Sequence, residues 1–184
     1  MNHLDKMLII QHHLLDDYTI QRAERKHFDE LLNLFLEAAA WLRRNGIRQW
    51  GHFLDGYGRD DVMISINSGS AFVIEKEGNV IGTVSVLLEP EAWDRHIWQT
   101  ERLDDSIFIH RLALSRSHAG RNLGKEILRW IEQGLQIPDH MKYIKLDCVG
   151  DNEKLNHYYR ANGFQYAGST DGHSKYVKEL QGKH

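Results

Sequence analysis

Cysteine is nearly missing from this chain: Cys148 is the only one in 184 residues. No intramolecular disulfide can form, and the composition suits a reducing compartment such as the cytoplasm. Long apolar runs are absent as well. Nothing approaches the roughly 20 residues of a membrane-spanning helix, and Met7 to Ile10 is too short for a signal-peptide core. The formal net charge of −3 and the sequence pI of about 6.4 leave no excess of the basic residues that a nucleic-acid binder displays. There is no HExxH and no cysteine pair, and the histidines follow no metal-ligand spacing, so no metal is assigned. Repeats, linkers and low-complexity segments are also lacking. With 41% hydrophobic residues the chain is long enough for a sizeable core. The expected organisation is an N-terminal arm over 1–15, either an extra helix or loosely held, and one domain over 16–184.

What is present reads as alternating strands and helices. Tyr18 to Arg22 is a first strand. From Glu24 to Arg44, Phe28, Leu31, Leu32, Phe35, Ala39 and Leu42 recur at helical spacing, which predicts an amphipathic helix packed on a sheet. A second helix is expected over Asp60 to Ser68. Ala71 to Lys76 and Asn79 to Leu88 form a hairpin in which Gly78 and Asn79 can supply positive φ. Residues 89–105 are acidic and aromatic, with Glu91, Trp93, Asp94, Trp98, Glu101 and Asp105. They are either a solvated loop whose tryptophans pack on the body or part of an acceptor site, where carboxylates and aromatic faces attract a cationic amine.

The strand Ile107 to Leu114 runs into a glycine-punctuated turn, Ser115 to Lys125, and then an amphipathic helix to Gln133. Gly120 and Gly124 have no side chain to keep a diphosphate away, and the helix start offers unpaired N–H groups. The turn departs from a Walker A loop. Three residues separate the glycines instead of four, and Glu126 follows Lys125 where a Ser or Thr would bind magnesium.

Downstream come a short strand, Tyr143 to Cys148, and a short helix starting near Asn152, with Tyr159 inside it and Gly163-Phe164 at its end. This order and spacing resembles the GNAT superfamily of acyl-CoA-dependent N-acetyltransferases. The resemblance in motifs covers Ser106 to about Gly168. It implies an α/β fold: a mixed, mainly antiparallel, twisted sheet, split between a central parallel pair, with helices on both faces. It also implies acetyl-CoA as acyl donor, held by Leu112, Ala113, Leu114, Arg116, His118, Ala119, Gly120, Arg121, Asn122, Leu123, Gly124, Lys125, Asn152 and Tyr159. Two positions depart from the family's turn: Ala119 stands where an Arg or Gln is usual, and Asn122 replaces the first signature glycine. Asn tolerates the left-handed backbone region, so the turn geometry can survive.

The activity implied is acetyl transfer to a primary amine by direct attack within a ternary complex. A lysine-like amine must first lose a proton, which costs roughly 4 to 5 kcal/mol at pH 7. His110, on the central strand, is the candidate base, either directly or through water, against a structural reading as a half-buried, hydrogen-bonded histidine. Tyr159 is the candidate acid for the departing thiolate, or else an amphipathic core tyrosine. Asn152 is a donor ligand or a helix cap. Cys148 lies in an apolar strand and reads as an inert small hydrophobe. Trp41, Gln49, Trp50 and Trp93 are the candidate acceptor residues. The acceptor itself is a small-molecule or peptide amine, neither nucleic acid nor membrane is an expected partner, and a homodimer is left open. The alternative, prompted by Ala119 and Asn122, is a non-catalytic acyl-CoA sensor or subunit of the same fold.

Overall fold

A computed structural model of the protein describes residues 7–99 and 102–182. Strand β1 (Thr19–Arg22) leads through a 3-10 turn (Arg25–His27) into helix α1 (Phe28–Arg44), followed by α2 (Gly51–Leu54), α3 (Arg59–Asn67), β2 (Ala71–Lys76) and β3 (Asn79–Leu87). Helix α4 (Ala92–Trp98), β4 (Ser106–Leu114), a 3-10 turn (Arg116–His118), α5 (Leu123–Gln133), β5 (Tyr143–Val149), α6 (Glu153–Ala161), β6 (Gln165–Thr170) and β7 (His173–Glu179) complete it. The fold is mixed α/β, with a seven-stranded sheet in the order β1-β2-β3-β4-β5-β7-β6. Strand β4 runs parallel to β5, whereas β1–β2, β2–β3, β5–β7 and β6–β7 are antiparallel. Among the described residues no helix is long and apolar enough to cross a membrane.

The chain divides into two compact units: Met1–Ser85 with Arg111–Ile137, and Val86–His110 with Pro138–His184. In the first unit α1 buries Leu31, Leu34, Phe35 and Ala39 in a cluster with Phe53, Val62, Ile66, Val73 and Ala113. Those α1 positions recur at helical spacing, and Asp29 and Glu30 at its start and Arg43 and Arg44 at its end complement the helix dipole. The β2–β3 hairpin turns through Glu77 at φ 53° and Gly78 at φ 78°. The positive-φ pair therefore sits one residue earlier than the expected Gly78 and Asn79, because Lys76 pairs with Asn79 across a two-residue turn whose type I′ form has both central residues left-handed.

The first six residues of the expected arm, His3 among them, lie outside the described residues. Residues 7–14 carry no helix. Ile9 bridges Leu135, and Ile10 N donates to Gly134 O at 2.8 Å. Trp130 Nε1 donates to Gln11 O at 2.7 Å, and Met7 and Leu14 are buried, so this stretch is fastened along the end of α5.

In the second unit β5 pairs with β7 from Tyr143–Glu179 to Val149–His173. Its parallel ladder with β4 is much shorter, running from Ser106–Tyr143 to Phe108–Lys145. The open loop considered for residues 89–105 is corrected in part, since residues 92–98 form α4. A capping box explains the helix: the Glu91 side chain accepts from the backbone of Asp94, and Glu91 N donates to Asp94 Oδ2 at 2.9 Å. Burial of Ile97 and Trp98 against Phe108 then seats it. Glu101 lies outside the described residues.

Candidate active site

In the first unit, β4 ends at Leu114 and Ser115 N donates to Ile81 O at 2.7 Å, anchoring the start of the glycine turn. Gly120 stands at φ 79° and Asn122 at φ 59°, ψ 11°, both left-handed. Asn is one of the few residues other than glycine that visit this region routinely, so Asn122 can hold this backbone path without a glycine. Glu126 N closes the first helical bond on Asn122 O at 3.1 Å. The N–H groups of Leu123, Gly124 and Lys125 are therefore left without an intrahelical acceptor. A Cβ built on Gly120 meets nothing within 4 Å, so the space beside it is open, and Arg121 and Lys125 stand exposed at the turn. Leu123, 1% exposed, anchors the helix start in the core.

The other expected donor contacts are engaged by protein. His118 Nδ1 and Tyr18 Oη are 2.7 Å apart, with their rings edge to face. Arg116 N donates to Glu37 Oε1 at 3.3 Å, and its guanidinium lies 3.9 Å from the centroid of the Trp41 ring. Leu112 and Leu114 are half-buried, Ala113 is buried and Ala119 is half-buried. Of the acceptor candidates in this unit, Trp50 packs edge-on against Phe35 and Phe53. Gln49 lines a cavity of about 590 Å³ together with Arg43 and Arg48. Its Oε1 is buried without a hydrogen-bond partner among the described residues.

In the second unit, His110 lies two residues beyond the last rung of the β4–β5 ladder, and the next residue, Arg111, sits at φ 49°. That left-handed residue interrupts the regular alternation of side chains along β4, as a bulge would. The His110 ring is paired with Asp94, Nε2 to Oδ2 at 2.9 Å, with side-chain exposures of 11% and 2%. Asp94 was legible only as one acid among several in residues 89–105. Its signal was the pair Glu91 and Asp94 after Pro90, the spacing of a capping box. Trp93 is tied down as well. Its Nε1 donates to both carboxylate oxygens of Asp147 at 3.1 and 3.2 Å, and its ring packs edge-on against His173.

Asn152 caps α6, its Oδ1 accepting from Leu155 N at 3.0 Å. Tyr159 is 7% exposed, and its ring contacts Tyr158, Phe164 and Tyr176. Burial, helped by neighbouring Cys148, Tyr158 and Asp147, pushes its hydroxyl well above the ordinary tyrosine range, so it keeps its proton at neutral pH. Gly163 at φ 87° ends the helix, and Phe164 N returns to Tyr159 O at 3.1 Å. Cys148 is buried, and desolvation followed by the charge of Asp147 pushes its thiol up to about 12. It is inert packing, as its place in an apolar strand implies.

The sequence profile described as the acetyltransferase (GNAT) family matches residues 35–164. An uncharacterized N-acetyltransferase, YesJ, of Bacillus subtilis strain 168 is 36% identical over 153 residues, covering 83% of this chain and 84% of that protein. The chain belongs to the GNAT family. It is an acyltransferase enzyme. A GNAT-family acetyltransferase from Listeria monocytogenes 4b F2365 is similar in structure, with a TM-score of 0.73 and 28% identity over 89% of this chain and 95% of that one. The PaiA N-acetyltransferase of Thermoplasma acidophilum, solved in complex with coenzyme A, shares the fold at a TM-score of 0.66 and 13% identity, over 89% of this chain and 99% of that one.

Within the family, the two departures in the turn now differ in weight. Asn122 adopts the left-handed backbone that a glycine would adopt there. Ala119 offers no cation, and the exposed cations of the turn are Arg116, Arg121 and Lys125.

Proposed function

We propose that this GNAT enzyme moves the acetyl group of acetyl-CoA to a primary amine by direct attack within a ternary complex. The observation that carries the reading is the left-handed pair Gly120 and Asn122 ahead of α5, which leaves open N–H groups and open space on one turn. A diphosphate suits such a turn, because a helix N-terminus attracts anions through its dipole and its unpaired donors. The N–H groups of Leu123, Gly124 and Lys125, with Arg116 and Arg121, would hold it, and the backbone of Leu112 to Leu114 would pair with the pantetheine arm. The coenzyme A complex of the Thermoplasma acidophilum relative supports this choice of donor.

His110 and Tyr159 take the proton-transfer roles. The neutral acceptor amine attacks the thioester carbonyl, forming a C–N bond, and its surplus proton passes to the His110 ring directly or through water. The backbone N–H of Leu112 is the candidate donor to the oxyanion. When the C–S bond breaks, its electron pair goes to sulfur, and the Tyr159 hydroxyl gives the thiolate a proton and recovers one from solvent. Burial keeps the Tyr159 hydroxyl protonated until the thiolate forms, although the same upward shift makes it a weaker acid than an ordinary tyrosine. Gln49, whose Oε1 is buried without a hydrogen-bond partner among the described residues, supports placing acceptor recognition at the cavity it lines. The single buried thiol supports a reducing, cytoplasmic setting.

The test is thiol release from acetyl-CoA with a panel of spermidine, putrescine, lysine, glucosamine, an aminoglycoside and short peptides. Amine-dependent release, with the acetylated amine identified by mass spectrometry, is the expected result. Calorimetric binding of coenzyme A without turnover across the panel would instead support a sensor.

A further inference from the structure

Asp94 is 1% exposed and is the one buried carboxylate among the described residues. Burying a carboxylate is costly unless hydrogen bonds and charge compensate it. Two groups do so here, both at Oδ2: Glu91 N at 2.9 Å and His110 Nε2 at 2.9 Å. The bond from Glu91 accounts for a helix cap, which an exposed acid supplies equally well. It does not account for placing that acid against the histidine of β4. Glu91, Asp94 and His110 do bring one potential ligand atom each within 4.8 Å of one another. Hydrogen bonds already engage these groups, since the Glu91 carboxylate accepts from the α4 backbone and Asp94 Oδ2 serves Glu91 and His110.

An ionised carboxylate only accepts hydrogen bonds, so the proton between the two rests on His110 Nε2. The lone pair of the neutral ring is then on Nδ1, which takes no hydrogen bond among the described residues. Beyond the last rung of the parallel ladder, and before the left-handed Arg111, His110 has no strand partner on β5 to hold its ring in place. The Asp94 bond supplies that restraint.

We propose that Asp94 is a positioning residue of the transfer reaction: its buried carboxylate fixes the His110 tautomer and orientation so that Nδ1 takes the acceptor amine's proton. This rests on His110 being the base. When Nδ1 is protonated the ring becomes an imidazolium, and the adjacent carboxylate balances its charge. The proton later leaves from Nδ1 to solvent, and Nε2 keeps its own throughout. A base oriented by a third group is the general logic of activated proton transfer, and it contributes through geometry as much as through charge.

The experiment combines kinetics with ring spectroscopy. In 15N-labelled protein, two-bond proton–nitrogen spectra read the tautomer of each histidine, and the His110→Gln variant identifies the His110 signals by their loss. The wild-type ring is expected to be protonated on Nε2, and a ring protonated on Nδ1 would overturn the proposal without any variant at Asp94. Asp94→Asn retains an oxygen for Glu91 N and removes the charge. With the fastest amine of the panel it is expected to lower kcat by about 10- to 1000-fold, part of the range a general base supplies, while KM for acetyl-CoA stays within about twofold. In a His110→Ala background the same change is expected to add nothing further to the loss in kcat, because the two residues act as one unit.

Additive losses would make Asp94 a structural residue and overturn the proposal. So would activity that falls with a chelator and returns with zinc, which would assign the three side chains to a cation. If His110→Ala turns over at the wild-type rate, the base assignment itself fails. If His110→Ala is slow and Asp94→Asn is fast, only the role of Asp94 fails.

Discussion

The guanidinium of Arg116 lies over the indole of Trp41, 3.9 Å from the ring centroid. The sequence places one of these residues with the acyl donor and the other with the acceptor, yet the fold stacks them directly. The contact joins the end of helix α1 to the 3-10 turn that opens the glycine turn, and the bond from Arg116 N to Glu37 reinforces it. A cation held on an aromatic face gives up less freedom when it meets a phosphate, so under the proposed donor site Trp41 would serve as a support for Arg116.

Trp41→Ala is expected to raise KM for acetyl-CoA about two- to fivefold, the equivalent of the roughly 0.5 to 1 kcal/mol that an exposed cation–π contact provides. KM for the amine should move less. Steady-state kinetics with each substrate varied in turn would check this, and a change confined to the amine would return Trp41 to the acceptor side.

Asn122 makes a second prediction, because its backbone is left-handed in the turn proposed to hold the donor. Asn122→Gly should preserve coenzyme A affinity in calorimetry. Asn122→Val should weaken it and cost about 1 to 2 kcal/mol of stability, since a β-branched residue resists positive φ. Equal affinity in the Val variant would show that the turn does not hold the donor.

The legible parts of this chain were those governed by local rules. The spacing of Leu31, Phe35, Ala39 and Leu42 announced α1, and the glycines announced the β2–β3 turn and the end of α6. Helix α4 was obscured because it has only 7 residues, too few for an apolar period, and its start rests on a Glu91–Asp94 capping box in place of the usual Ser or Thr. The His110–Asp94 pair could not be read at all, since 16 residues separate the partners and only tertiary packing brings them together. The same holds for Trp93, whose partner Asp147 lies on β5.

High pH tests the buried acids. Desolvation raises the Cys148 thiol from 9.0 to about 12 and the Tyr158 hydroxyl from 10.0 to about 12, and Tyr159 is raised as well. A raised folded-state pKa favours the protonated native form. That stability is fully present below the unfolded-state values and is lost as pH rises through the folded-state values. Thermal melting should therefore fall steeply between about pH 9 and about pH 12, the window spanned by the Cys148 shift. Tyr158→Phe should soften that fall. At pH 7 it should leave the melting temperature unchanged or raise it, because the Tyr158 hydroxyl is buried without a partner among the described residues. A melting temperature that is flat across this pH range would contradict the burial of these groups.

Asn152 separates a cap from a ligand. Its Oδ1 accepts from Leu155 N, which satisfies an otherwise unpaired donor at the start of α6, so the side chain has a use without any substrate. The Nδ2 amide is the part of the side chain that the cap leaves free to donate to the acyl donor. Asn152→Ser keeps an acceptor for the cap and deletes that amide, whereas Asn152→Ala deletes both. Loss of the cap should cost the Ala variant about 0.5 to 2 kcal/mol, visible as a lower melting temperature, with the Ser variant close to wild type. If Nδ2 meets the donor, both variants should show a higher KM for acetyl-CoA. An unchanged KM in the Ser variant would remove Asn152 from the donor site and leave it as the cap of α6, with Tyr159 positioned by that helix but reached by no partner from its first turn.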